Sequence, residues 1–279
     1  MKFNILPLAA LACALAVTAC ATPTPTRVHL AETTRERIAS TEVVAPIRQN
    51  EIIVFVPPST AGASAGASFG LIGALVGAAT DASINAQRTS SAERDVKPLR
   101  DALVDFDFDG QFKSDLKGQL AQVGWLKVSD VRVAKELNAD SLHNAIGASK
   151  DPAVLMAVTT YELSNDGSLL TVKVVADLFP NSEELRALRP GKGNAKMKYA
   201  AENALYRNTF IYSAAVPPAA DGVATDRAGN IGRWSANDAA ALREALTKGS
   251  AELATLLAAD IQAGPETAPP VEVASRSSK

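Results

Sequence analysis

Apolar residues along this chain alternate with period two in some stretches and recur every three to four residues in others. Five runs have the pattern of strands: residues 51–56, 125–133, 154–163, 169–179 and 206–216. Helical spacing covers residues 96–103, 112–120, 134–148 and 237–263. Helices on both sides of a strand meander predict an α+β domain over residues 51–263. We expect an antiparallel sheet of about four to five strands, with helices packed on one face.

The stretch from residue 59 to residue 80 carries no charge and is rich in regularly spaced glycines: Gly62, Gly66, Gly70, Gly73 and Gly77. At about 100° per residue these glycines fall within an arc of roughly 80° on a helix. This predicts a glycine-zipper-like helix whose bare backbone groove lets another element approach closely. Packing inside the domain, contact with a membrane or an oligomeric partner, and a flexible loop all remain open.

The segments at the two ends of the domain have a different composition. Residues 20–50 include a Thr-Pro repeat and are predicted to form a linker, with a short strand at 41–45 that Pro46 stops. Residues 264–279 are rich in proline, serine and alanine and are predicted to be disordered.

The N-terminus has the features of a secretory signal, which we assign to residues 1–19. Lys2 precedes an apolar run at 5–17 that is too short to span a membrane, and Val-Thr-Ala-Cys follows at 17–20. These four residues resemble the lipobox of bacterial lipoproteins. The resemblance implies cleavage before Cys20, a diacylglycerol thioether on its sulfur and an acylated amine. Ala21 in place of aspartate then implies sorting to the outer membrane, facing the periplasm. An ordinary signal peptide with an incidental cysteine is the alternative.

Charge and cysteine content narrow the classes of partner. Cleavage before Cys20 would remove Lys2 and no acidic residue, which leaves 27 basic residues against 30 acidic ones. This balance argues against a nucleic-acid partner, because phosphate binding favours a basic surface. The only two cysteines are Cys13, inside the signal, and Cys20. We therefore expect no disulfide, no thiolate metal ligand and no cofactor.

A G-x-S-x-G pattern at residues 62–66 matches the nucleophile elbow of hydrolases. In that interpretation Ser64 is the nucleophile and His143 is the only plausible base. The pattern recurs at residues 66–70, because glycines four apart with serines between them generate it automatically. This repetition favours a low-complexity origin over an active site.

An acidic cluster precedes the helix expected at 112–120. Asp105, Asp107 and Asp109 imitate the opening of a calcium loop, but the twelfth position is Leu116 and an EF-hand needs glutamate there. A solvated acidic rim is the favoured interpretation. His143 has no second histidine or cysteine nearby, so a zinc site is not expected.

A basic run without any acidic residue follows the strand hairpin: Arg186, Arg189, Lys192, Lys196 and Lys198. Contact with anionic headgroups would stabilise binding by about 1 kcal/mol per charge. A solvated loop between strands is the favoured alternative.

The order of elements over residues 51–263 is similar to that of the amino-terminal module of TolB, of curli-secretion (CsgG) lipoproteins and of ABC-transporter auxiliary lipoproteins. The chain is thus predicted to be an outer-membrane lipoprotein with a non-catalytic role in envelope assembly or protein interaction. Its expected contacts are the membrane lipid, an unidentified envelope protein and a second copy. A serine hydrolase using Ser64 and a pore or secretion component built on residues 59–80 are the alternatives.

Overall fold

The computed structural model describes residues 27–47, 49–57, 82–135, 139–189, 199–219 and 225–263. These ranges contain the following strands: β1 Thr41–Pro46, β2 Ile53–Val54, β3 Val128–Ala134, β4 Ala153–Leu163, β5 Leu169–Pro180 and β6 Tyr206–Ala215. They also contain these helices: α1 Glu32–Arg35, α2 Ala82–Asp101, α3 Phe108–Leu120, α4 Ala139–Gly147, α5 Glu183–Arg186 and α6 Arg227–Ala263. The predicted α+β class is confirmed.

The strands form one mixed sheet in the order β3-β1-β4-β5-β6, and β2 pairs with β4 beyond the end of β1. β4, β5 and β6 make the predicted antiparallel meander. β1, however, is parallel to both β3 and β4. Helical crossovers return the chain to the same end of the sheet each time, which produces parallel neighbours. The prediction of a wholly antiparallel sheet is therefore only roughly matched.

The segment before residue 51, expected to be a linker, is part of the fold from residue 27 onward. Leu30 and Ile38 are buried in the main core, and Val43 in β1 is completely covered. β1 lies between β3 and β4. The short strand expected at 41–45 is thus an inner strand of the sheet.

The sheet carries apolar layers on both faces. In β4, Leu155 and Ala157 face the main core, to which α2, α3 and α6 contribute. Val154 and Met156 face the opposite side, where they pack with Ile146 of α4. This is the alternation expected of a strand covered on both faces. The prediction of helices on one face is corrected, because α4 covers part of the other.

The last helix begins ten residues earlier than its leucine stripe predicts and is interrupted near its start, at residues 236–239. Asn237, Asp238 and Ala239 have φ values of 54°, 57° and 55°, so helical geometry breaks there. The part of α6 before this break packs against the β4–β5 turn, where the indole Nε1 of Trp234 donates to the carbonyl oxygen of Gly167 at 2.9 Å. Gly167 itself has φ +71°, which glycine adopts readily.

Several predicted features lie outside the described residues. They are the lipobox with Cys20, the glycine-rich stretch with Ser64, the lysines at 192, 196 and 198, and the tail at 264–279.

Candidate functional site

A groove of about 320 Å³ lies between the C-terminal end of α3 and the first half of β3. Its floor includes Val123 and Leu126, which are buried, and exposed Lys117 and Lys127 stand at its rim. This volume is at the small end of the range for ligand pockets. The groove can therefore accept one or two side chains of a partner, and its charged lining residues are Lys117, Lys127 and Asp130.

A register shift in β3 gives the groove its shape. Thr41 of β1 pairs with Val128, whereas the next residue, Glu42, pairs with Asp130, so Ser129 is the extra residue of a β-bulge. On the other side of the groove, Gly124 is exposed, and a Cβ added there would meet no heavy atom within 4 Å. The groove is thus open toward solvent above Gly124.

A carboxylate fixes the bulge from the side of β4. Asp151 accepts short hydrogen bonds from the hydroxyl groups of Ser40 and Ser129. The amide Nδ2 of Asn181 donates to the backbone oxygen of Asp151 at 3.1 Å. These contacts join the starts of β1, β3 and β4, and they hold the groove wall in one position.

Each of the edge strands β3 and β6 has one backbone N–H that points away from the sheet and donates to the side chain of the preceding residue. The N–H of Val131 in β3 donates to Oδ1 of Asp130 at 2.8 Å, and the N–H of Thr209 in β6 donates to Oδ1 of Asn208 at 2.8 Å. Alternate residues of a strand direct their backbone groups to the same side. Ala134 bonds toward β1. Val131 lies an odd number of residues from Ala134, so its N–H points to the opposite side, which is the free edge of β3.

The three aspartates that imitate a calcium loop have separate structural partners. Asp105 bonds to Arg243 at 2.6 Å, and this contact lowers the pKa of Asp105. Asp107 caps α3 by accepting from the N–H of Gly110 at 2.8 Å, and Asp109 pairs with Lys135. Within the described ranges, no group of three or more His, Cys, Asp or Glu side chains could hold a metal ion.

The two described arginines of the basic run contact the protein itself. Arg186 donates to the backbone oxygen of Asn181 at 3.0 Å, and Arg189 donates to Oδ1 of Asn203 at 3.0 Å. Their guanidinium groups thus fasten the connection between β5 and β6. Headgroup contact by this run stays a prediction.

His143 lies on α4, with its ring 4.9 Å from the ring of Tyr199. The stretch that contains Ser64 follows β2 in the chain. Just after β2, the N–H of Phe55 donates to the backbone oxygen of Leu163, at the C-terminal end of β4. α4 instead leads into the start of β4. Ser64 lies outside the described residues, so the hydrolase alternative stays a prediction.

A buried ion pair that the sequence pattern did not indicate lies between β5 and β6. Nη1 of Arg207 is 3.4 Å from Oδ1 of Asp177, and both residues are 9% exposed. Burial raises the pKa of Asp177 to about 6, although Arg207 opposes that shift. The alternation of polar and apolar residues in the sequence could predict this ion pair only if the register of β5 against β6 were known.

No family model, curated protein or solved structure matches this chain. No helix in the described ranges is both long enough and apolar enough to cross a membrane.

Proposed function

We propose that this protein is a lipoprotein of the bacterial outer membrane that binds another envelope protein and has no catalytic role. The observation that carries the proposal is the lipobox-like sequence at 17–20, whose cysteine lies only seven positions before the first described residue, Arg27. Two acyl chains already suffice for stable anchoring, and a processed lipobox cysteine would carry three. The anchor defines where the protein works.

The groove beside β3 supports an interaction role. Its buried floor is apolar, and its lining carries Lys117 and Lys127 as well as Asp130. An apolar side chain flanked by an acidic residue complements the apolar floor and the two lysines. The partner we propose is therefore an envelope protein that presents an apolar residue next to an acidic one.

Metabolic labelling with a clickable palmitate analogue tests the anchor. We expect the wild-type protein to incorporate the label and to fractionate with the outer membrane, and we expect Cys20→Ala to lose both properties. Unlabelled wild-type protein in the soluble periplasmic fraction would overturn the anchor.

Photo-crosslinking tests the groove. A photoreactive phenylalanine analogue at Gly124 should capture an envelope protein, because that position is open. The same residue at Lys248, whose side chain is 64% exposed on α6, is the control and should not capture it. Replacing both Lys117 and Lys127 by glutamate should reduce the adduct at Gly124. Equal capture at both positions would remove the groove from the proposal.

The two alternative functions depend on residues 59–80. Labelling by a fluorophosphonate probe that disappears in Ser64→Ala would replace the proposal with a hydrolase. Detergent-resistant oligomers that disappear in Gly70→Leu would replace it with a pore or secretion component.

A further inference from the structure

The first described residues are attached to the last turn of α6. Nη2 of Arg27 lies 2.6 Å from Oδ1 of Asp260. The other carboxylate oxygen of Asp260 accepts from the hydroxyl of Tyr206 at 2.7 Å and from Nδ2 of Asn208 at 2.9 Å. Both oxygens of Asp260 are thus used, and its side chain is only 10% exposed. Charge-assisted hydrogen bonds of this kind are the stronger class.

Two further contacts strengthen this attachment. Val28 and Arg207 exchange both of their backbone hydrogen bonds, at 2.8 and 2.9 Å. Arg35 donates to the backbone oxygens of Ile261 and Gln262 at 3.0 and 3.2 Å. We call the contacts of Arg27, Val28 and Arg35 the N-terminal clasp.

The clasp lies at one end of the sheet. Tyr206, beside it, pairs with Leu178, whereas Leu170 at the other end of β5 pairs with Leu163. The eight residue steps from Leu170 to Leu178 cover about 27 Å at ~3.4 Å per step. Val54 also pairs with Leu163, so the chain enters the glycine-rich stretch from the end of the sheet opposite the clasp.

Chain length limits how far the clasp can lie from a lipid on Cys20. Seven residue steps separate Cys20 from Arg27 and reach at most about 25 Å. If the contacts of Arg27 and Val28 opened, Leu30, which is buried in the main core, would be the next fixed point, and ten residue steps could reach about 36 Å. The clasp therefore shortens the connection by about 30%.

We propose that the N-terminal clasp holds its end of the sheet against the lipid bilayer and directs the opposite end away from it. The inference rests on the proposed lipid anchor and adds the orientation of the domain. The chain would then leave β2, toward the glycine-rich stretch, on the side of the domain that faces away from the bilayer.

Single-cysteine fluorescence tests the orientation, because Cys20 is the only cysteine after the signal and acylation occupies its sulfur. Gln262→Cys labels the clasp end, and Asn165→Cys labels the opposite end; both positions are exposed. The full acylated protein is placed in phosphatidylcholine–phosphatidylglycerol vesicles that contain nitroxide-headgroup lipid. We expect severalfold stronger quenching of the label at 262 than of the label at 165. Equal or reversed quenching would overturn the proposed orientation.

Opening the clasp tests its role. Arg27→Ala combined with Asp260→Asn should narrow the difference in quenching between the two labels, with circular dichroism showing that the domain remains folded. Arg37→Ala, whose side chain is 53% exposed, is the matched control and should leave the difference unchanged. An unchanged difference in the folded double variant would remove the clasp as the cause. A wild-type protein that fails to float with vesicles would remove the anchor, whereas flotation with equal quenching would remove the orientation alone.

Discussion

The guanidinium group of Arg35 donates to the carbonyl oxygen of Ile261, 226 residues later in the chain, at 3.0 Å. It also contacts the oxygen of Gln262, so it satisfies two of the last carbonyl groups of α6 and places a positive charge at the helix C-terminus. We expect Arg35→Ala to lower the free energy of unfolding by about 2 kcal/mol. Chemical denaturation measures this change.

Arg37 provides the control for that measurement. Its side chain is 53% exposed and pairs with Glu184 at 3.3 Å. Exposed pairs contribute little, so Arg37→Ala should cost less than about 0.5 kcal/mol. Equal losses for the two variants would mean that the helix-end contact of Arg35 has no special weight.

α6 approaches the sheet closely at Gly249. A Cβ at this position would lie 2.7 Å from Cδ1 of Tyr212 and 3.2 Å from Cγ2 of Val172. Gly249→Ala should therefore lower stability by about 1–3 kcal/mol, although alanine is the better helix former. Gly118→Ala, at an exposed position of α3, is the control, since nothing lies within 4 Å of the added Cβ, and it should raise stability by about 0.5–1 kcal/mol. Thermal unfolding of both variants decides, and stabilisation by Gly249→Ala would contradict the close contact.

The side chain of Gln49 makes hydrogen bonds to the backbone of β4 of the kind that a neighbouring strand would make. Its Nε2 donates to the backbone oxygen of Tyr161, and its Oε1 accepts from the N–H of Tyr161 at 3.3 Å. Gln49→Glu keeps the size but removes the donor and places a carboxylate oxygen against a carbonyl oxygen. We expect a loss of about 1–3 kcal/mol in unfolding free energy, together with faster hydrogen exchange at Tyr161. Unchanged exchange at that amide would refute the assigned contact.

The pH dependence of stability should report Asp177. Folding raises its pKa from 3.8 to about 6, so the folded state favours the protonated form. The associated stabilisation is complete below about pH 4 and is lost as the pH rises through 6. Relative to Asp177→Asn, the wild type should therefore lose up to about 3 kcal/mol between pH 4 and pH 7. Denaturation series of both proteins measure this difference, and a constant difference would refute the shift.

Asp166 gives a control of opposite sign. Its hydrogen bond from Ser164 lowers its pKa below 3.8, so its contribution is present above that pH and is lost as the solution becomes more acidic. The difference between the wild type and Asp166→Asn should change only below about pH 4.

The sequence pattern located the elements with strong local signals. β4 and β5 have long alternating apolar runs, and the turn at residues 164–167 contains the glycine that the positive φ of Gly167 requires. The leucine stripe likewise located the part of α6 that follows the break. These features depend on local periodicity, which sequence alone displays.

Features that depend on contacts between distant residues were not predictable. β1 is short and follows a polar segment, and only its pairing with β3 and β4 makes it central. The groove depends on a bulge that pairing register creates, and the clasp joins Arg27 to Asp260 across the whole chain. No local pattern encodes such register or proximity.

The backbone N–H groups of Val131 and Thr209, which donate to neighbouring side chains, affect how the protein behaves when many copies lie close together. Molecules confined to a two-dimensional surface meet one another far more often than molecules free in three dimensions, and exposed strand borders are templates for uncontrolled polymerisation. The side chains of Asp130 and Asn208 each accept a hydrogen bond from one backbone N–H of an edge strand, so this N–H is not available to a neighbouring molecule. A protein built this way can be densely displayed on a surface with less tendency to form fibrils with its neighbours.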